Sequence, residues 1–272
     1  MSEARKIGFI GGGNMAGALI GGLLQAGTAP RDLLAVEIDA TRRAQLEQQF
    51  GIGTSATIDG KLRSQDVLVL AVKPQQMKEV CATLAPHIGN QLTVSIAAGI
   101  RARDLARWLG TQEIVRAMPN TPALIGQGVT GLACLPGVSA QRRSVAERIL
   151  AAVGRVVWFD DESALDAVTA VSASGPAYVF YFIEAMIAAA RAEGMTEQQA
   201  RELATGTFLG AAQLAAQASE PVGVLRERVT SKGGTTAAAL SSLEADRVAA
   251  AIAKAIHAAN VRARELGDEF GR

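Results

Sequence analysis

Short apolar runs alternate with amphipathic stretches through the first half of the chain. Lys6–Ile10, Leu34–Glu37, Val67–Ala71, Thr93–Ile96, Ile114–Met118 and Val156–Phe159 are brief, rich in branched residues and bounded by turn residues, a pattern that predicts strands. Between them a helical period predicts helices over Asn14–Gln25, Thr41–Phe50, Gln75–Leu84, Ala102–Leu109 and Ala140–Val153. Strands that are apolar along their whole length are buried on both faces. With helices between them they predict a doubly wound, mainly parallel sheet. After Phe159 the pattern changes and no further strand is expected. Alanine-rich helical segments cover Ser163–Val171, Pro176–Glu193, Glu197–Gln217, Pro221–Val229, Thr236–Leu243 and Asp246–Leu266. Gly194, followed by Met195-Thr196 and then Glu197 and Gln198, reads as a helix stop and a new N-cap. The fold class is therefore α/β: a Rossmann-type domain over residues 1–160, then an all-α domain over residues 161–272, with no long linker between them.

Composition narrows the partners. The chain has 272 residues, 19% of them charged, with a net charge of +1, so nothing favours nucleic acid or an anionic membrane. Cys81 and Cys134 form no CxxC pair and read as buried thiols in a reducing compartment. His87 and His257 lie far apart and show no metal-ligand spacing, so no metal is expected. The longest uncharged stretch, Ala167–Ile183, is interrupted by Ser172, Ser174 and Gly175-Pro176, which argues against a membrane span. The N-terminal residues Glu3, Arg5 and Lys6 lead into a run that glycines interrupt at once, unlike a targeting segment. A soluble cytoplasmic protein is expected.

Candidate chemistry begins at the end of the first strand. Gly11-Gly12-Gly13-Asn14-Met15-Ala16 fits GxGxxA in a strand–turn–helix context: Gly11 for the turn, Gly13 for close approach to a pyrophosphate, Ala16 for close helix packing. Glu37 ends the second strand where an acid would bond a ribose 2′-hydroxyl, and Asp39 could serve from a neighbouring position. Arg42 and Arg43 lie just beyond, either as partners of a 2′-phosphate or as solvated helix surface, so these residues leave NAD against NADP open. Three further loops leave the carboxyl edge of the expected sheet: Ala71-Val72-Lys73-Pro74, Ile96-Ala97-Ala98-Gly99, and Met118-Pro119-Asn120-Thr121-Pro122. Small residues in the second would let a flat ring approach the backbone, and Asn120 offers an amide to a carboxamide or ribose. In the helical half, Arg228–Leu240 joins a turn rich in glycine and hydroxyl groups to an alanine-rich helix. Such a junction presents backbone N–H groups to an anion. Tyr178, Tyr181 and Phe182 form an aromatic stripe on a nearly uncharged helix and read as core or subunit interface.

Taken together, these motifs resemble the Δ1-pyrroline-5-carboxylate reductase family. The matching stretches, in family order, are Phe9–Ala16, Ala71–Pro74, Ser95–Gly99, Arg116–Pro122, Ser172–Tyr178 and Val229–Thr236. The last is the most specific, although many members carry proline where this chain has Lys232. The resemblance implies NAD(P)H-dependent reduction of a cyclic imine to L-proline. Ser231, Gly233, Gly234 and Thr235 would hold the substrate carboxylate and Thr236 the ring nitrogen, with Glu220 near the substrate. Ile10, Gly11, Gly12, Gly13, Asn14, Met15, Glu37, Ala71, Val72, Lys73, Pro74, Ile96, Ala97, Ala98 and Asn120 would bind the cofactor. Family members accept NADPH or NADH and more often favour NADPH; Glu37 is an acid where NADPH-preferring members carry a small or polar residue. The helical domains would interlock into homodimers, and dimers into decamers. The alternatives are an enzyme resembling β-hydroxyacid dehydrogenases, for which Lys254 is the candidate lysine, and a non-catalytic NAD(P)-binding protein.

Overall fold

Successive residues of the central strands face opposite layers of helices, and the two layers account for the apolar runs in the sequence. The computed structural model describes residues 5–271. Its strands are β1 (Ile7–Ile10), β2 (Leu33–Val36), β3 (Gly53–Ser55), β4 (Val67–Leu70), β5 (Leu92–Ser95), β6 (Ile114–Met118), β7 (Gly128–Cys134) and β8 (Gly154–Trp158). Helices α1 (Asn14–Gln25), α2 (Ala40–Phe50), α3 (Pro74–Leu84), α4 (Ala102–Leu109) and α5 (Ala140–Ala151) are interspersed with them. Ile7, Phe9, Val67, Val69 and Val94 pack with Leu19 and Ile20 of α1, Leu46 of α2 and Ile149 of α5. Ile10, Leu68 and Leu70 pack on the other face with Met77 and Leu84 of α3 and Leu105 of α4. Each such fully buried side chain contributes about 1.5–3 kcal/mol relative to exposure, so the sheet is the stable platform on which the loops rest.

The strand order is β3-β2-β1-β4-β5-β6-β7-β8. All neighbours are parallel except β6 and β7, which run antiparallel. The mainly parallel Rossmann-type sheet is thus present, with two strands that the sequence pattern did not predict. β3 is only three residues long and partly exposed, too short to give a period. β7 begins at Gly128 and contains Gly131, and in the sequence both read as turn residues. A Cβ on Gly131 would lie 2.8 Å from Val168 Cγ1, so glycine there permits close packing of a helix on the strand. A 3-10 turn over Thr121–Ile125, with no crossover helix, joins β6 to β7, and this is why that pair is antiparallel.

After β8 come α6 (Ala164–Val168), a π-helical turn over Thr169–Ala173, α7 (Gly175–Ala192), α8 (Glu197–Gln217), α9 (Val222–Arg228), α10 (Thr235–Ala245) and α11 (Val248–Phe270). Two compact units result. One comprises the described residues up to Ser174 together with those from Ala259 onward; the other is Gly175–Ala258. The first unit thus extends beyond β8 through α6 and the π turn. The reason is local: Leu165, Asp166 and Ala170 are buried within the sheet-bearing unit, and the end of α11 packs there as well.

Within the helical unit α7 packs along α8. The start of α8 is the expected N-cap: Thr196 and Gln199 form a reciprocal capping box. No residue of α7 is buried, and Phe180, Tyr181, Leu209 and Leu214 are 61%, 70%, 63% and 69% exposed. Ala164–Ala192 forms a helical stretch long and apolar enough, by length and composition, to cross a membrane.

Candidate cofactor and substrate sites

The strand order reverses between β1 and β4, and in such a sheet the crevice at the carboxyl ends of those strands is where ligands bind. Gly11 passes directly over this point. Its N–H donates to the Val36 carbonyl at 2.8 Å, its φ is +99°, and a Cβ would lie 2.8 Å from the Ala71 carbonyl oxygen. Gly13 then caps α1 with no side-chain hydrogen bond, and the first turn of α1 holds no acid. The leading N–H groups of α1 are thus left to an anion, the arrangement that a dinucleotide pyrophosphate fits. Ile10 is buried beneath the loop, whereas Gly13 and Asn14 are exposed.

The residues after β2 settle into a hydrogen-bonded cage around the same loop. The Glu37 carboxylate accepts from the Gly12 N–H at 2.8 Å and from the Asp39 N–H at 2.9 Å. Arg42 Nε donates to the Gly12 carbonyl at 2.6 Å, and Arg43 Nη1 donates to the carbonyls of Glu37 and Ile38 at 2.7 and 2.9 Å. Both arginines therefore brace backbone, a role that the sequence reading did not offer. Asp39 caps α2 through the Arg42 N–H. Between Glu37 and Asp39, Ile38 is 80% exposed, an apolar side chain beside a polar loop that periodicity did not single out.

The other expected loops lie on the same edge. The Ala71 N–H donates to the Ile10 carbonyl at 2.8 Å, which ties the two loops together. Lys73 precedes Pro74 at the start of α3 and is exposed. The Ile96 N–H donates to the Leu70 carbonyl at 3.1 Å, and Ala97 is buried. Asn120 follows β6, but its amide is engaged within the chain. Its Oδ1 accepts from the Val129 N–H at 2.8 Å, and its Nδ2 donates to the Ser172 carbonyl and Oγ, each at 3.3 Å. Pro176 explains why that carbonyl is to hand: proline has no N–H to return to residue 172, and the helix passes through a π turn there.

A charged cluster next to these loops escaped the sequence reading. Arg116 in β6 is 3% exposed and donates to Glu162 Oε1 at 2.6 Å; the same oxygen accepts from the Ala102 N–H at 2.7 Å. Arg101 makes two parallel bonds to Asp166, at 2.8 and 2.9 Å, and the hydrogen bond to Asp166 raises the guanidinium pKa further. The available signal was Arg116 within the otherwise apolar run Ile114–Met118.

The helical unit holds the hydroxyl-rich turn. The Gly234 N–H donates to the Ser231 carbonyl at 3.1 Å and closes it. Gly234 is the N-cap of α10, with no side-chain cap and no acid in the first turn. Thr235 and Thr236 are therefore the first two helical residues, and Thr236 does not cap its helix. Thr236 is half-buried, while Ser231, Lys232, Gly233 and Thr235 are exposed. Glu220 pairs with Arg228 through two hydrogen bonds, one of 2.6 Å, which staple the ends of α9. Burial pushes the Cys81 thiol up to about 12 and raises Cys134 as well. Among the described residues no cluster of His, Cys, Asp and Glu could hold a metal ion.

Comparison with known proteins agrees with this geometry. A family model described as pyrroline-5-carboxylate reductase dimerisation matches residues 162–266, and one described as NADP oxidoreductase, coenzyme F420-dependent, matches residues 6–99. The chain is 45% identical over 269 residues to a pyrroline-5-carboxylate reductase of Pseudomonas aeruginosa, covering 98% of each chain. A solved pyrroline-5-carboxylate reductase from Coxiella burnetii superposes with a TM-score of 0.92 at 38% identity, over 97% of this chain and 99% of that one. A pyrroline carboxylate reductase from Plasmodium falciparum, solved with NADP bound, gives 0.86 at 28% identity, over 98% and 100%.

Proposed function

The chain belongs to the pyrroline-5-carboxylate reductase family, and from that premise we propose how its two units divide the reduction of Δ1-pyrroline-5-carboxylate to L-proline. One observation carries the proposal. Two helix starts behind glycine turns, α1 after Gly11–Gly13 and α10 after Ser231–Gly234, have neither a side-chain cap nor a first-turn acid; α3 and α9 also lack both but follow Lys73 and Pro221 and have no glycine turn before them. Two anion-receptive sites match the two anions of the reaction, a dinucleotide pyrophosphate and a small carboxylate.

In this reading Ile10–Met15, Ala71–Pro74 and Ile96–Ala98 hold the dinucleotide, and Ser231, Gly233, Gly234 and Thr235 hold the carboxylate through N–H and hydroxyl groups. When bound, the reduced nicotinamide supplies a hydride for the imine carbon. The ring nitrogen takes up one proton, so C=N becomes CH–NH. A protonated imine is already electrophilic, which makes orientation the main task of the chain. Thr236, free of capping duty, accepts the role of holding the ring nitrogen and passing a proton from water. Glu220, paired with Arg228 across α9, lies near the substrate in this reading. Asn120 braces the edge of the cofactor site through Val129 and Ser172.

The cofactor reading turns on Glu37. The family resemblance favours NADPH, and the P. falciparum relative was solved with NADP. In this chain, however, a carboxylate anchored by two N–H groups stands where a ribose 2′-hydroxyl is bonded, and Arg42 and Arg43 are committed to backbone carbonyls. That arrangement supports NADH as the preferred reductant.

The match to a dimerisation family model and the exposed apolar residues of α7 and α8 support a homodimer through the helical unit, with a second copy against α7; the family resemblance extends this to decamers built from such dimers. Two thiols without disulfide spacing support a reducing, cytoplasmic location. The test is oxidation of NADH and NADPH with pyrroline-5-carboxylate, with 3-hydroxyisobutyrate and NAD(P)+ as the comparison. Thr236→Ala should lower kcat/KM for the imine about tenfold to a hundredfold while dinucleotide binding persists. Binding without turnover of the imine would leave a non-catalytic dinucleotide-binding protein, and turnover of the hydroxy acid a different dehydrogenase.

A further inference from the structure

The Ala97–Gly99 loop between β5 and α4 is made of residues whose side chains are too small to fix their own position. Its geometry comes from the elements packed behind it. Gly99 has φ +71°, and a Cβ there would lie 3.0 Å from Phe270 Cδ2 and 3.2 Å from Leu266 Cβ, both in the last turns of α11. The next residue, Ile100, is fully buried. Arg101, after it, is pinned to Asp166 of α6 by two parallel bonds, and Gly267 of α11 lies flat against its guanidinium. A Cβ on Gly267 would be 2.5 Å from Arg101 Nη2 and 2.7 Å from its Cζ. The end of α11 is itself tied down, because Arg107 of α4 donates to the Gly271 carbonyl at 2.6 Å. Glu162 completes the frame by accepting from the Ala102 N–H at the first residue of α4.

We infer that the last turns of α11 and the Arg101–Asp166 pair are positioning elements that hold the Ala97–Gly99 loop ready to receive the dinucleotide. The inference rests on the reading of that loop as part of the cofactor site. Its physical basis is that a site formed by backbone and methyl groups tolerates little displacement. An error of about 1 Å in a positioned group can cost on the order of a hundredfold in rate, and a fraction of that suffices to weaken binding.

Gly267→Ala is the informative variant. In a helix interior alanine is favoured over glycine, so intrinsic propensity works for the fold while the added methyl displaces the Arg101 guanidinium. The expected result is a rise of about three- to tenfold in the NADH dissociation constant, read by fluorescence titration. The imine KM at saturating NADH should stay within about twofold, in the range where a positioning effect separates from direct contact. Arg101→Lys, which keeps the charge but loses the second parallel bond, should give a smaller rise in the same direction, and Arg101→Ala a larger one. The inference is overturned if Gly267→Ala and Arg101→Ala bind NADH as tightly as the parent, or lose NADH only together with the folded state. A parent chain that binds neither NADH nor NADPH refutes the dinucleotide reading itself, a result distinct from a parent that binds and variants that bind equally.

Discussion

Replacing Glu37 should invert the choice of reductant, and the structure allows the size of the effect to be worked out. The carboxylate is held by the N–H groups of Gly12 and Asp39, so it cannot swing away without leaving two donors behind. A 2′-phosphate brings a charge of about −1.5 to −2 to this spot. At an assumed separation of ~6 Å and an effective dielectric between that of a protein surface and water, each unit of charge is repelled by ~1–3 kcal/mol. Solvent screening at this half-exposed position favours the lower end, and a total of ~2 kcal/mol corresponds to about thirtyfold against NADPH. A ribose hydroxyl bonded to a carboxylate gains ~1.5–3 kcal/mol, all of which favours NADH. Glu37→Gln removes the charge and one of the two acceptor oxygens, leaving either the Gly12 or the Asp39 N–H unpaired, and should raise NADPH affinity by up to about thirtyfold with a modest loss for NADH. Glu37→Ser removes both terms and should shift the NADPH/NADH ratio of kcat/KM by on the order of a hundredfold or more. Dissociation constants from fluorescence titration of each dinucleotide provide the readout independent of turnover. A ratio that moves less than about threefold in Glu37→Gln would show that the charge of Glu37 does not govern the choice, and the electrostatic reasoning would fall.

Asn120→Ala strands the Val129 N–H and the Ser172 carbonyl in a part-buried site, a cost of about 1–3 kcal/mol, so Tm should fall by several degrees; a Tm within a degree of the parent would contradict the bracing role. Tyr181→Asp places a charge on an exposed apolar face without touching the core of its own unit. Sedimentation should show the assembly shifting toward smaller species at micromolar concentration, and an unchanged mass would remove α7 from the interface. Cys81, raised to about 12, is ionised in about one molecule in ten thousand at pH 8, so it should resist thiol reagents until the protein unfolds. The same shift has a defined sign. A pKa raised above the unfolded value of 9.0 contributes stability present below that value and lost as pH rises toward 12, so Cys81→Ala should flatten alkaline denaturation in that window.

Periodicity gave β1, β2, β4, β5, β6 and β8 and the helices between them because their burial is one-dimensional: each residue's polarity reports its own face. It missed β7, since Gly128 and Gly131 are chosen for what lies against them, and close approach leaves no periodic trace. The glycine loop and the Ser231–Thr236 turn were legible because backbone donors need particular residue types in a row. Glu37 was legible as the residue ending the second strand, but its bonds from the Gly12 and Asp39 N–H groups and the backbone bonds of Arg42 and Arg43 were not. The Arg101–Asp166 and Arg116–Glu162 pairs join residues far apart in the chain, and only packing brings them together.

The bridge from Asn120 to Ser172 has an evolutionary consequence. Pro176 withholds the helical N–H that would otherwise satisfy the Ser172 carbonyl, and Asn120 supplies a donor from a segment more than fifty residues earlier. Losing the proline would relieve Asn120 of its duty to the Ser172 carbonyl, leaving only its bond from the Val129 N–H, and losing the asparagine would make the proline a liability. The two sites should therefore drift as a pair. In a deep mutational scan, the double replacement Asn120→Ala with Pro176→Ala should be milder than the two single effects added together.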